Sequence, residues 1–274
     1  MRRSLEKAPK AYKNMEFLNS RDARAIRIMA EYLEPLQRLK NERVEDTVVF
    51  FGSARTKPLE EAKTYLAELE TRAAASEAAD PDLTKLIEKT RDELIISSYY
   101  QDAVDLAAKL TTWSKGLGSD HRFIICSGGG FGMMEAANKG ASEAGGKSIG
   151  FNISIPHEQL PNQYITPELN FEFHYFFMRK YWFTYLAKAL VIFPGGFGTL
   201  DELFEVLTLI QTKKLDKELP IVVFGMEYWQ QVLNLEAMVK YGTISEEDLD
   251  LIHFSDSVDD AFDYLKGELT RIYL

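Results

Sequence analysis

Three times in this chain a short apolar run stops at a polar or glycine-rich turn and a helical pattern begins. The sharpest instance is Val191-Ile192-Phe193-Pro194-Gly195-Gly196-Phe197-Gly198-Thr199-Leu200-Asp201-Glu202. A second is Phe123-Ile124-Ile125-Cys126-Ser127-Gly128-Gly129-Gly130-Phe131-Gly132-Met133-Met134-Glu135, and a third is Thr47-Val48-Val49-Phe50-Phe51-Gly52-Ser53-Ala54-Arg55. Glycine lets the backbone turn sharply and approach a ligand, because no Cβ intervenes. A helix opening behind such a turn aims unpaired N–H groups and the positive end of its dipole at the turn, which suits a phosphate. Strands alternating with helices predict a doubly wound, mostly parallel α/β sheet with helices on both faces. The turns then share the edge where ligands bind, outside the carboxyl ends of the strands.

The alternation reads as strands at about 47–51, 122–127, 147–153, 170–176, 189–193, 220–224 and 250–254. Helices are expected over 19–40, 132–145, from the last glycine-rich turn to about 214, over 227–241 and 257–272, with one more carrying Met178 to Phe183. Ser20 is the expected N-cap of the first, Pro35 its kink or restart, and Gly145-Gly146 the C-cap of the second. The small residues Ala136, Ala137, Gly140 and Ala141 predict close packing for the helix that carries them. The helical stretch 58–117, broken at Asp80-Pro81, exceeds what a βαβ crossover needs, so part of it reads as an inserted hairpin. The division expected is an N-terminal helical arm, 1–45, and a single Rossmann-like domain, 46–274, carrying that insert. Residues 1–18 read as lightly attached, and the loop with Pro156, Pro161 and Pro167 as surface or lid.

Hydrophobic residues make up 46% of the 274 positions, enough for a proper core. The net charge of −10 argues against a general nucleic-acid binder. Residues 1–40 carry ten Lys or Arg against five Asp or Glu, a net +5 that leaves −15 elsewhere. Interleaved acids and helically spaced apolar residues make that basic arm a peripheral or dimer-clasping helix. The single Cys126 excludes an intrachain disulfide framework and reads as a core residue. No apolar segment follows Met1-Arg2-Arg3, and no run approaches the ~18 residues of a membrane span, so a cytoplasmic setting without a membrane partner is expected. His121, His157, His174 and His253 do not cluster, which argues against zinc. Neither G-x-G-x-x-G nor G-x-x-x-x-G-K-[ST] is complete, and there is no G-x-S-x-G elbow.

Two side chains carry the expected chemistry. Thr199 and Glu202 have the spacing of a capping box, which by itself accounts for the acid. The second glycine-rich turn argues for more, because two such turns on one edge make a site. Arg179 follows a strand and should open at that edge, where a guanidinium can contact phosphate, ribose or base. Glu202 can then orient a water, or stabilise positive charge developing on a sugar carbon. Glu135 is either a third acid of the site or a first-turn complement to the helix dipole. Ser53 and Arg55 could reach a phosphate or base, or could simply satisfy their turn. His174 reads as a structural residue near the pocket.

Pro194-Gly195-Gly196-Phe197-Gly198-Thr199-Leu200-Asp201-Glu202 matches the P-G-G-x-G-T-x-x-E motif of the LOG ("Lonely guy") phosphoribohydrolases, long labelled possible lysine decarboxylases. Ser127 to Ala137 resembles that family's second glycine-rich turn, and Gly52-Ser53-Ala54-Arg55 its first strand-end turn. Met178-Arg179-Lys180 sits where the family carries its Arg-Lys pair. The resemblance runs in order from about 47 to 225. It implies a modified Rossmann fold, a homodimer or a higher assembly of dimers, and no metal or organic cofactor. The implied reaction cleaves a nucleoside 5′-monophosphate, AMP or a cytokinin riboside 5′-monophosphate, to free base and ribose 5-phosphate. By resemblance Arg179 and Glu202 are catalytic, and Gly195, Gly196, Gly198 and Thr199 bind the 5′-phosphate. Glu135, Ser53 and Met178 line the ribose and base pocket, and Gly129, Gly130 and Lys180 complete the substrate-binding set. The decarboxylase label fits the chemistry poorly. No His is followed by Lys, the pairing that pyridoxal-dependent amino-acid decarboxylases carry. Non-catalytic readings are a nucleotide sensor or a carrier like the molybdenum cofactor carrier proteins. A carrier needs the glycines but has no evident use for the acid.

Overall fold

The computed structural model describes residues 7–76, 80–119, 121–156 and 160–274. Seven strands form one sheet: β1 Thr47–Phe51, β2 Ile124–Ser127, β3 Ser148–Ile153, β4 Asn170–Phe173, β5 Ala187–Ile192, β6 Ile221–Phe224 and β7 His253–Ser255. Their order is β4-β3-β2-β1-β5-β6-β7, and every adjacent pair is parallel. The chain builds outward from β1 to β4, then returns to lay β5 against the free side of β1. That reversal makes β1 and β5 the switch point, where the crossovers diverge and leave a crevice at the carboxyl ends. Phe50 pairs with Val191 and Phe51 with Ile192 there.

The helices are α1 Met15–Asn19, α2 Arg24–Asn41, α3 Leu59–Ala74, α4 Pro81–Lys115, α5 Met133–Glu143, α6 Phe176–Leu186, α7 Phe197–Gln211, α8 Met226–Val232, α9 Leu235–Lys240 and α10 Val258–Tyr273. Alternate strand residues point to opposite faces, and both faces are covered, so β1 is buried along its whole length. Val49, Phe51, Leu190, Ile192 and Val223 share a core with Leu39 of α2, Trp182 and Phe183 of α6, and Leu203 of α7. Val48, Phe50, Ile125, Val191 and Phe224 face Val104, Ala107 and Leu110 of α4, with Ala137 of α5 and Leu265 of α10. Among the described residues no helix is long and apolar enough to cross a membrane.

Asp80-Pro81 is where α4 begins. The Asp80 carboxylate accepts the Asp82 and Leu83 N–H groups at 3.0 and 3.2 Å, with Pro81 in the first turn. The second half of α4 is the β1–β2 crossover, burying Tyr100, Ala103, Leu106 and Leu110. α3 packs on α4, with Arg91 and Glu70 paired at 2.7 Å. α5 uses its small face as expected: a Cβ at Gly140 would strike the Val104 carbonyl oxygen of α4. Its last turn closes through Gly145 N–H to Ser142 O and Gly146 N–H to Ala141 O, each 2.9 Å.

Several local details differ from the expectations or refine them. Ser20 ends α1 and does not start the next helix. Its carbonyl and that of Leu18 accept the Arg27 guanidinium at 2.6 and 2.7 Å, and α2 begins later, behind Ala23. α2 runs unbroken through Pro35. The single helix expected over 227–241 is two, because the Asn234 side chain caps a new start by accepting the Ala237 N–H at 2.9 Å. Residues 246–251 form a 3₁₀ turn, which delays β7 to His253. The distal half of the 156–167 loop is anchored, since buried Asn162 donates to the carbonyls of Gly129 and Gly130 at 3.1 and 3.0 Å. Residues 1–6 of the expected loose terminus, His157 and the rest of 157–159 in that loop lie outside the described residues.

Candidate functional site

The crevice between β1 and β5 opens into a cleft of about 670 Å³. Its floor is stitched from three strand-end turns. Ser53 N–H donates to Pro194 O at 2.9 Å, Phe193 N–H to Phe51 O at 2.8 Å, and Met133 N–H to Ser53 O at 3.0 Å. One wall is the start of α7, whose N-cap is Gly196 with no side-chain cap. The first N–H groups of a helix have no intrahelical partner, and Phe197, Gly198 and Thr199 line the cleft. Thr199 is therefore the third residue of α7 rather than its cap. The reciprocal bonds of a capping box do not form, and the Thr199 hydroxyl lies against Gly195. Tyr228 of α8 braces the turn, its hydroxyl donating to Gly195 O at 2.8 Å.

Glu202 is only 8% exposed, one turn into α7. Burial pushes its carboxyl up to about 7, against the nearby cations Lys180 and Arg179, which pull it down. Arg179 stands on the first turns of α6, with Nε donating to Phe151 O at 2.7 Å and its guanidinium over the Phe183 ring at 5.0 Å. It lies against the turn after β2 at a position that has no side chain: a Cβ on Gly128 would sit 2.5 Å from its Nη2. Burial lowers the Arg179 guanidinium from its ordinary range, and Glu202 works in the opposite sense. A buried acid that titrates near neutrality, a fixed cation and a glycine-rich helix start thus share one cleft. Such pairs are what acid–base chemistry beside a phosphate requires.

Residues 134–265 match the family model described as "Possible lysine decarboxylase". The cytokinin riboside 5′-monophosphate phosphoribohydrolases LOG3 and LOG4 of Arabidopsis thaliana are each 30% identical over 154 residues, 54% of this chain and 66% of theirs. Over these residues the chain is similar to the LOG family. The match takes in just under two thirds of the length of those LOG relatives. Among solved structures, the Moco carrier protein of Chlamydomonas reinhardtii is 19% identical with a TM-score of 0.46, covering 82% of this chain and 99% of that one.

Of the residues singled out from the LOG resemblance, the cleft gathers Ser53, Arg179, Gly195, Gly196, Gly198, Thr199 and Glu202, together with Arg55. The others stand elsewhere. Gly129 and Gly130 are buried behind the cleft, where their carbonyls hold Asn162. Met178 is packed into the core. Glu135 lies in the first turn of α5 between Lys139 and Glu61, raised by burial. Lys180 faces a second hollow, pairing with Asp201 at 2.9 Å and Glu205 at 2.5 Å. Burial disfavours its charge, but those two hydrogen bonds outweigh it and raise the lysine. His174 is just past β4, its N–H bonded to Glu31. Cys126 is fully buried, and burial pushes its thiol up.

Asn152, Phe176, Tyr228 and Val232 also line the cleft and were not singled out from the sequence. Asn152 had a signal, a polar residue near the carboxyl end of an apolar strand. Tyr228 had none, since its role depends on a contact with Gly195, far away in the chain. Among the described residues no group of three His, Cys, Asp or Glu is arranged to hold a metal.

Proposed function

We propose that this protein is a nucleoside 5′-monophosphate phosphoribohydrolase. It cleaves the N-glycosidic bond of AMP or a cytokinin riboside 5′-monophosphate, giving the free base and ribose 5-phosphate. The observation that carries the reading is the meeting of Arg179 and Glu202 in one cleft with the uncapped, glycine-rich start of α7. The 5′-phosphate sits on the N–H groups of that helix start, with Gly195, Gly196, Gly198 and Thr199 around it. Arg179 holds the phosphate or ribose. As the C1′–N bond breaks, its electron pair leaves with the base and positive charge grows on C1′. Ionised Glu202 opposes that charge and takes a proton from the attacking water, whose oxygen ends on C1′. The departing base takes up a proton, which balances the hydrolysis. The reading includes a homodimer in a reducing cytoplasm. The homodimer is supported by exposed apolar side chains on neighbouring helices, Met29 and Leu33 of α2 with Phe177 and Tyr185 of α6.

The test is to incubate the purified protein with AMP and, separately, isopentenyladenosine monophosphate, following free base and ribose 5-phosphate by chromatography. Release that is lost in Glu202→Gln, with nucleotide still bound, is expected. Nucleotide binding without release from either substrate would overturn the enzyme in favour of a carrier or sensor.

A further inference from the structure

α6, which carries Arg179, does not cap itself. Its N-cap residue Tyr175 supplies no side-chain hydrogen bond to the helix. The cap comes from α2, about 140 residues earlier in the chain. There the Glu31 carboxylate accepts the His174 N–H at 2.8 Å on Oε1 and the Tyr175 N–H at 3.2 Å on Oε2. A carboxylate at this end also opposes the positive pole of α6. The same residue grips the helix one turn past Arg179, because the Trp182 indole N–H donates to the Glu31 carbonyl at 2.9 Å. Tyr32 packs beside it, its ring 5.7 Å from Tyr181 and 5.9 Å from Trp182. Farther along α2, Arg38 donates to Asn170 O at 2.9 Å and lies 3.9 Å over the Phe171 ring of β4. Arg179 hangs from the capped residue, for its own N–H donates to Tyr175 O at 3.2 Å.

We infer that Glu31 is a positioning residue for Arg179: the basic arm fixes the start of α6, and so the guanidinium in the cleft, through the Glu31 carboxylate. The inference rests on the phosphoribohydrolase reading, in which Arg179 touches the nucleotide. A helix held at its first turn and again at Trp182 has little freedom to slide along β3. The remaining tether of the guanidinium is Nε to Phe151 O, which fixes direction only while α6 holds its place. Small misplacements of a substrate-holding group cost rate out of proportion to their effect on stability.

Glu31→Ala, Glu31→Gln, Arg179→Ala and the double variant Glu31→Ala with Arg179→Ala are compared in the full-length protein. Two quantities are read: amide hydrogen exchange over 174–179, and kcat and KM for AMP or isopentenyladenosine monophosphate, whichever the parent cleaves. In Glu31→Ala, exchange over 174–179 is expected to quicken and kcat to fall on the order of tenfold. Glu31→Gln, which keeps one acceptor oxygen, is expected to fall between Glu31→Ala and the parent. In the Arg179→Ala background, removing Glu31 is expected to cost nothing further, because the two act in series. Unchanged exchange, or losses that multiply in the double variant, would overturn the inference with the enzyme reading intact. A parent that cleaves neither nucleotide would overturn the enzyme reading, and this role with it. If Glu31→Ala does not fold, Glu31→Gln carries the same comparisons, alone and combined with Arg179→Ala.

Discussion

Glu202 titrates in the folded protein near 7, against 4.5 for an ordinary glutamate, and the cause is burial. A raised carboxyl binds its proton more tightly folded than unfolded. The stability this contributes is complete below about 4.5 and is lost as pH rises through about 7. Glu202→Gln should therefore gain on the parent as pH rises. Between pH 4.5 and about 8 the shift is roughly 3 kcal/mol in the difference of unfolding free energies, read by urea titration at each pH. Activity runs the other way. The ionised acid is the working form, so kcat/KM should fall as pH drops through about 7. A flat profile across that range would remove Glu202 from the chemistry. Gly128 tests the opposite wall. Its absent Cβ leaves room for Arg179 Nη2 and Met134 Sδ, each 2.5 Å from where a methyl would be. Both are ends of flexible side chains, so Gly128→Ala should fold with little change in melting temperature. Turnover should fall on the order of tenfold, because Arg179 must move aside.

At the scale of elements, the cleft depends on pieces that cap and pin one another. Asn162 is the clearest. Its amide donates to Gly129 O, Gly130 O and Asn138 Oδ1, the last at 2.9 Å, while the Ser127 hydroxyl bonds Asn138 at 2.6 Å. This buried network ties the loop before β4 to the turn after β2. Asn162→Ala leaves buried acceptors unpaired, at about 1–3 kcal/mol, which a urea midpoint would register. A variant as stable as the parent would mean that water replaces the amide. The turn before α7 is held differently, by Tyr228 from outside and Thr199 from within. That is why the Thr199-to-Glu202 spacing, legible as a capping box, produced none: the helix starts three residues earlier than the motif implies.

Across the whole molecule, the edge of the sheet opposite the cleft carries a clamp of its own. At the amino edge buried Asp46 accepts Arg122 Nη2 at 2.9 Å and also receives the Phe123 N–H, while Arg122 reaches Tyr273 O at 3.2 Å. That clamp joins the starts of β1 and β2 to the end of α10. Asp46→Ala leaves the buried Phe123 N–H without its acceptor and removes one carboxylate from Arg122, which keeps Glu45 at 3.7 Å; it should cost about 1–3 kcal/mol, read by chemical denaturation. The KM for nucleotide should stay unchanged, since the cleft is a strand length away. A raised KM would show that the two edges are coupled. The arm is joined to the same core: Leu39 of α2 is buried beneath it, with Ile28, Tyr32 and Leu36 packed alongside.

All seven strands and the doubly wound plan were legible in the chain, as was the edge holding the site. Buried parallel strands must be short apolar runs, and the turns that follow them must be small or polar. Ser53, Arg55, Arg179, Glu202 and the glycines of the last turn could be named for the same local reason. Helix boundaries at Ser20 and at Asn234 escaped, because an Arg27 guanidinium and a side-chain cap decided them rather than hydrophobic spacing. Tyr228, Asn162 and the grip of Glu31 on α6 escaped because each acts across a long stretch of chain. Sequence periodicity records which side of an element is apolar, and it holds no record of which distant partner meets it. The sequence by itself determined the sheet, its working edge and the residue types gathered there. The tertiary structure alone decided that Glu202 is buried enough to titrate near 7, because burial belongs to everything packed around a group.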